Sequence, residues 1–336
     1  MFEIFIECDI TMDMSFLSRL LLSLFLVACI FIPSMTRAHV GYVLNQDEMH
    51  MQAGSDVSFL LQPLHRFPLI ILMLVSLLMF VVLIFLERQF HFLQALDRRV
   101  EKRARTYGEL FGWILRLSLG IALLGSGTSG VFLSPVLSAS SSIAFLETLL
   151  GFFLLVGLFV GPAAFISVLL YFCTLGIDRY NLSHLDFLMI AVSICVLGDS
   201  RPGVDDLFSI PQLTFLKRWK SSVPTMLSMG VGASMVYLAL YEKLLNPHMS
   251  ALVVERFSLQ SVIPVSVSMW VLSAGLIELL VGVLLILRVK PRLISAIAFL
   301  VLSVSFFYFK ESVDSHITLF GSLSVIFCYG ERKSLS

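Results

Sequence analysis

Long apolar runs, broken by short polar or charged segments, repeat along this chain. Nine of them are long enough to read as helices crossing a bilayer: Pro68–Leu86, Leu110–Ser126, Ile143–Val160, Ala163–Ile177, His184–Leu197, Thr225–Tyr241, Val265–Leu287, Leu293–Phe309 and His316–Tyr329. Several fall short of the usual ~20 residues, a mismatch that bilayer thinning or flanking side chains accommodate. The pattern predicts an all-α, polytopic membrane helical bundle.

The run nearest the start has a different character. Met14 to Ala38 reads as a secretory signal, with Arg19 at its positive end and Leu20–Ile32 as its apolar stretch. Pro33 breaks the helix, and Thr36-Arg37-Ala38 offers small residues for cleavage. Residues 1–13 are acidic and fit no part of a signal, which points to Met12 or Met14 as the start. Cleavage after Ala38 makes His39 the mature N-terminus. Two alternatives stand beside it: lipidation at Cys29, because Leu26-Val27-Ala28-Cys29 resembles a lipobox, and retention as an anchor.

With the mature N-terminus outside, the inner loops hold fifteen Lys and Arg residues and the outer side five. The inner set includes Arg88, Arg98, Arg99, Lys102, Arg103 and Arg105. The outer set is Arg66, Arg179, Lys243, Arg256 and Lys310. Inner loops of membrane proteins carry this excess, so the C-terminus is expected on the cytoplasmic side.

Two stretches of the chain resemble each other. Glu147-Thr148-Leu149-Leu150-Gly151 matches Glu278-Leu279-Leu280-Val281-Gly282. His184 lies 37 residues after Glu147, and His316 lies 38 after Glu278. Gly198 and Gly330 each follow their histidine by 14, and Ser134-Pro135 parallels Asn246-Pro247. The expected organisation is a signal (1–38), an outer arm (39–67) and one extra helix with a charged connector (68–109). A four-helix unit (110–199), a linker (200–224) and a second four-helix unit (225–336) follow. An even number of spans per unit makes the repeats parallel.

Composition agrees with lipid as the solvent. The chain is 58% hydrophobic, its mean hydropathy is +0.94, and only 14% of residues are charged. Lys+Arg and Asp+Glu balance at 23 each, so no basic surplus points to nucleic acid. Cys8, Cys29, Cys173, Cys195 and Cys328 form no C-x-x-C pair, which argues against a dithiol redox centre or a thiolate zinc site. Nucleotide-binding glycine loops, H-E-x-x-H and G-x-S-x-G are absent from the sequence.

Ionisable residues within spans are costly and mark candidate sites. Glu147, His184, Glu278 and His316 are expected on one side of the membrane as two Glu–His sets, suited to a proton relay or a binding pocket. The simpler alternative is interhelical hydrogen bonding. Glu242 and Lys243 read as an interfacial ion pair, and Arg116 as a side chain reaching the cytoplasmic surface. A second constellation lies in the arm. A mature His39 offers a ring and an amine nitrogen, and Met49-His50-Met51 adds thioethers and an imidazole, a donor set suited to copper. The simpler alternative there is an ordinary solvated loop.

Tyr241-Glu242-Lys243-Leu244-Leu245-Asn246-Pro247 resembles the K-L-x-x-P loop of the DoxX-like family of four-helix membrane proteins. Glu278–Leu287 resembles that family's second helix, an E-x-x-x-G-x-L-L segment. The first unit departs from the pattern, with Gly130-Val131 in place of Glu242-Lys243. The resemblance covers about two thirds of the chain, by the residue ranges of the two units. It implies a bacterial inner-membrane protein. It also implies an accessory or quinone-interacting subunit of a membrane redox system, with a membrane or periplasmic redox partner. Copper handling through His39 and a small-molecule or proton-coupled transporter are the alternatives. Native mass spectrometry of the purified chain tests the arm: a species starting at His39 is expected to carry copper, and His39→Ala with His50→Ala is expected to lose it. Unchanged metal content in the double variant rules the copper site out.

Overall fold

In lipid every backbone polar group must find its partner inside the protein, so the apolar runs fold as helices whose ends mark polar or turn-forming residues. The computed structural model describes residues 48, 51–62, 99–100, 102–103, 110–198, 203–208, 217–309 and 312–329. All belong to one compact unit, Thr36–Ser336. The signal segment and the expected span Pro68–Leu86 lie outside the described residues.

The first group of helices is α1 (Leu110–Ser129), α2 (Ser141–Val156), α3 (Val160–Ile177) and α4 (Leu185–Leu197). The second is α5 (Val223–Leu238), α6 (Pro247–Arg256), α7 (Val267–Ile286), α8 (Pro291–Phe309) and α9 (Val313–Tyr329). Local chemistry sets several boundaries. The Ser140 hydroxyl accepts from the Ile143 N–H at the start of α2, and the Ser266 hydroxyl accepts from the Met269 N–H at the start of α7. Gly157 at φ 78° and Gly198 at φ 55° end α2 and α4 in the left-handed conformation that glycine adopts without strain. The start of α3 is capped from a distance: the Asp205 carboxylate accepts the N–H groups of Phe159 at 2.8 Å and Val160 at 3.0 Å.

Among the described residues, six helical stretches are long and apolar enough to cross a membrane: Leu110–Ser129, Val160–Ile177, Arg179–Leu197, Arg218–Leu245, Val267–Ile286 and Pro291–Phe309. Ser141–Val156 and Val313–Tyr329 are shorter apolar helices. The chain is a multi-pass membrane protein with an all-α bundle. Two features depart from a simple alternation of span and loop. A small antiparallel ribbon, β1 (Val131–Phe132) with β2 (Ser134–Ser138), joins α1 to α2. The helix α6 stands between α5 and α7. Neither has the length or the continuous apolar character of a span, so hydropathy passes over both.

The bundle has an inner and an outer layer. Leu115, Leu119, Leu123, Ile190, Leu227, Val231, Leu323 and Ile326, from α1, α4, α5 and α9, are fully buried. The stretch containing α4 is 72% buried and α8 only 22%, so α8 belongs to the layer that faces lipid. Arg116, expected at the surface, is instead 2% exposed, and a Cβ on Gly157 would stand 2.7 Å from its Nη1. The guanidinium is enclosed by the turn after α2 rather than reaching solvent.

Glycines set the helix crossings. A Cβ on Gly120 would stand 3.0 Å from the Gly151 carbonyl, and one on Gly151 2.7 Å from the Gly120 carbonyl. Helices α5 and α7 repeat this contact at Gly232 and Gly282, at 2.6 and 2.7 Å. Between the groups, α1 packs on α9 and α5 on α4. Gly321 meets Ser118 at the first of these contacts, and Gly230 meets Met189 at the second. Without a solvent-driven force between helices in lipid, such close backbone approach is a main source of association. Gly232→Ala is therefore expected to destabilise the fold by about 1–3 kcal/mol through overpacking. Thermal unfolding in detergent checks this, with Gly54→Ala, at a position where a Cβ meets nothing within 4 Å, as the neutral control.

Candidate functional site

The continuation of α5 does not keep α-helical geometry. Ala239–Leu245 forms a π-helical segment, a widened turn that changes the direction of successive side chains. Glu242 points inward and is fully buried, and the neighbouring Lys243 side chain is 12% exposed. Lys243 Nζ donates to Glu278 Oε2 on α7 at 2.8 Å and lies 3.9 Å from Glu242 Oε2. Gly275 admits this approach, since a Cβ there would stand 3.0 Å from Lys243 Cβ. One lysine is thus held between two carboxylates. A buried ion pair is stable only with good geometry and further hydrogen bonds.

Glu242 receives such support from the first group of helices. Arg179–His184 forms a 3-10 turn before α4, started by Asp178, whose carboxylate accepts the Tyr180 N–H at 2.8 Å. That turn projects Tyr180, which is 5% exposed, and its hydroxyl donates a short hydrogen bond to Glu242 Oε1. Tyr241 and Tyr237 stack at 5.4 Å, with the Tyr180 ring 5.8 Å from that of Tyr241. The Ser250 hydroxyl on α6 donates to the Glu242 carbonyl at 2.9 Å.

Beside these charges lies a cavity of about 300 Å³. Its walls are mostly apolar: Val253 and Val254 from α6, Trp270 and Val271 from α7, Ile297 and Leu302 from α8. Glu242, Lys243 and Glu278 form its polar end, with Ser234, Ser250 and Ser305 also on its wall. Ile277 and Val301 line it too, yet are 48% and 49% exposed on the outer layer. Residues that face both the cavity and the outside mark a side opening between α7 and α8, towards lipid. A concave apolar space with a few convergent polar groups is the usual form of a small-molecule site.

The matching carboxylate of the first group meets a different partner. Glu147 is fully buried, and its Oε1 accepts the Leu133 N–H at 3.0 Å. Leu133 takes φ 55°, a conformation costly for a branched side chain, to present that N–H. The donor to Glu147 is thus a main-chain N–H beside the ribbon, where the donor to Glu278 is Lys243.

The structure brings Glu242, Lys243 and Glu278 together, and His184 shares a crevice with Ser126 and Leu133, the neighbours of Glu147. The hydrogen bonds of Glu147 and Glu278 do not go to imidazoles. His316 is 3% exposed, with its Nδ1 2.8 Å from the Ser315 hydroxyl. His184 lies within electrostatic reach of Asp186 and His316, where the two groups of helices meet. A crevice of about 40 Å³ beside it is lined by Ser126, Asp314, Ser315 and Thr318, space for about one water molecule. Asp186 is tied across that contact, its N–H donating to the Ser234 hydroxyl at 3.0 Å. Of the expected metal donors, His39, Met49 and His50 lie outside the described residues. Met51 is 74% exposed. Among the described residues, no group of three or more His, Cys, Asp or Glu has the arrangement of a metal site.

No protein-family model matches the chain, and comparisons with curated proteins and with solved structures find no match either. The site therefore rests on its own geometry.

Sequence reading passed over Tyr180, Gly275 and α6. Gly275 precedes Glu278 by one turn on the same face, a signal that was available. Tyr180 carries none, because its partner is 62 residues away. Tyr180→Phe is expected to lower stability by roughly 1.5–3 kcal/mol, the range for a buried hydrogen bond to a charged group. Tyr237→Phe, whose hydroxyl makes an exposed 3.2 Å bond to the Arg179 carbonyl, is expected to cost less than about 1 kcal/mol. Thermal melts of the two variants in detergent compare them directly.

Proposed function

We propose that the second group of helices binds a lipid-soluble, head-and-tail molecule taken sideways from the bilayer, with its head at Glu242, Lys243 and Glu278. On this reading the protein is an accessory, quinone-interacting subunit of a redox system at the outer face of the inner membrane. It is built as two tandem DoxX-like four-helix units. The observation that carries the proposal is the apolar cavity of about 300 Å³ with the Lys243–Glu278 pair, 2.8 Å apart, at its polar end.

The chemistry of that end favours one class of head. The lysine is flanked by two carboxylates, so an anionic phosphate head would meet repulsion in a low-dielectric setting. A neutral carbonyl head meets none. Lys243 offers such a head an N–H donor, and the carboxylates offer places to hold a proton. The recurring glycine crossings support the tandem reading: Gly232 follows Gly120 by 112 residues, and Gly282 follows Gly151 by 131. On that reading only the second unit keeps an open site, since Leu133 of the ribbon takes the equivalent carboxylate in the first.

A second reading, a proton-coupled transporter, draws on the π-helical break beside the cavity. Transporters built from repeats tend to break helices at matched positions. Here α1 runs unbroken from Leu110 to Ser129, so the first reading has the better support.

A short-chain benzoquinone probe is expected to quench Trp270 saturably in protein reconstituted without native lipid. Lys243→Ala is expected to weaken that binding roughly tenfold, as loss of a charge-assisted hydrogen bond does. Glu147→Gln is expected to leave it unchanged. Absence of saturable binding, together with no quinone in extracts of the freshly purified protein, overturns the proposal.

A further inference from the structure

The segment running from Glu48 through residues 51–62 lies along α6, and its short helix Val57–Leu61 packs on α7 as well. Three polar contacts hold it there. The Gly54 N–H donates to Asn246 Oδ1 at 2.9 Å, at the start of α6. Asp56 Oδ2 lies 3.1 Å from His248 Nε2, within the first turn. Glu48 Oε1 accepts from Arg256 Nη2 at 2.7 Å, at the last residue of the helix. The contacts thus run the length of α6, about 15 Å at the α-helical rise. The segment lies antiparallel to it.

Apolar contacts add to these. Asp56 starts the short helix Val57–Leu61 by accepting the Phe59 N–H. Phe59 stacks at a tilt on the His248 ring, 4.9 Å between centroids. Phe59 and Leu60 pack against the cluster of Val254, Leu259 and Val271, with Trp270 and Phe309 beside them. All five of those residues also line the cavity. On this side α6 and the start of α7 form the wall of the cavity, and the segment packs on both. Ser250, Val253 and Val254 face the cavity, while His248 and Arg256 hold the segment. A ten-residue helix has little stability of its own and takes its position from what packs on it.

We propose that Glu48 and residues 51–62 form a strap that holds α6 closed over the cavity, so that the cavity exchanges its contents with lipid through the side opening rather than with water. The strap acts on the ligand site described above, and its role in ligand exchange rests on that reading. Its closure of the wall does not. The latch is built to release. The side chains of both ion pairs are 29–39% exposed, so salt screens them and each holds weakly. Loosening the strap lets α6 move and opens the polar end to water.

Mild acid does not release the Asp56 contact. The Ser58 hydroxyl, the Phe59 N–H and His248 together hold the Asp56 carboxyl down at about 2, from an ordinary value of 3.8. A carboxylate with a lowered value supports the folded strap above its ordinary range and loses that support only as pH falls through about 2.

Labelling of a cavity residue tests the strap. Val253→Cys is placed in a chain whose other cysteines are replaced by serine or alanine, reconstituted in lipid nanodiscs, and treated with a membrane-impermeant sulfonated maleimide. The intact strap is expected to give slow labelling that accelerates in high salt. Asp56→Ala with Phe59→Ala is expected to accelerate it roughly tenfold at low salt, as loss of one weak ion pair plus its packing allows. Equal rates in all of these proteins overturn the strap. If the double variant melts early, the salt response of the protein with its strap intact still decides, because that arm removes no side chain. The benzoquinone probe separates the two ideas: labelling differences without probe binding sink the ligand site and leave the strap, and probe binding with uniform labelling does the reverse.

Discussion

The crossing of α5 and α7 at Gly232 and Gly282 governs what happens at the site. Two bare backbones touch there, which leaves no room for a side chain between the helices. Glu278 stands one turn before Gly282 and Gly275 one turn before that, so all three share the face that α5 meets. The close approach carries the π-helical continuation of α5 over Gly275 and puts Lys243 within 2.8 Å of Glu278.

The two groups of helices answer the same chemical demand in different ways. Each places a glutamate four residues before a crossing glycine, and each glutamate needs a donor. In the first group the donor is a main-chain N–H from a strained Leu133 in a ribbon, which closes the space. In the second it is a lysine on a long stem, which leaves about 300 Å³ beside it. The main-chain answer is rigid and serves structure. The lysine can swing between a carboxylate and a ligand, which is why the second group carries the functional proposal.

Tyr180 shows that the groups are not independent. Its hydroxyl reaches from the turn before α4 to Glu242, so the polar end of the second group's cavity is completed by the first. The contact of α4 with α5, where Gly230 accommodates Met189, positions that turn. A change in the packing of the two groups would therefore be felt at Glu242. On the other side of the same cavity, a strap from far earlier in the chain bears on α6 and the start of α7.

Helix positions were legible from the sequence because lipid forces apolar runs to satisfy their own backbone, and no packing partner is needed to predict that. The paired E-x-x-x-G segments were legible for a similar reason, since four residues along a helix always share a face. The rest depended on neighbours far apart in the chain. The sequence marked Glu242 and Lys243 as an interfacial pair, but the third member, Glu278, joins them only through the helix crossing. Glu147 and Glu278 suggested histidine partners by regular spacing, whereas their hydrogen bonds go to Leu133, beside a ribbon, and to Lys243, on a π-helical turn, neither of which spacing reveals. Hydropathy averages over such short, mixed segments, and α6 escaped it for the same reason. Sequence alone thus determined a multi-pass helical chain with two similar carboxylate positions. Only the tertiary structure decided that one carboxylate is sealed by backbone and the other opens on a cavity, because that choice is made by contacts between helices, not within them.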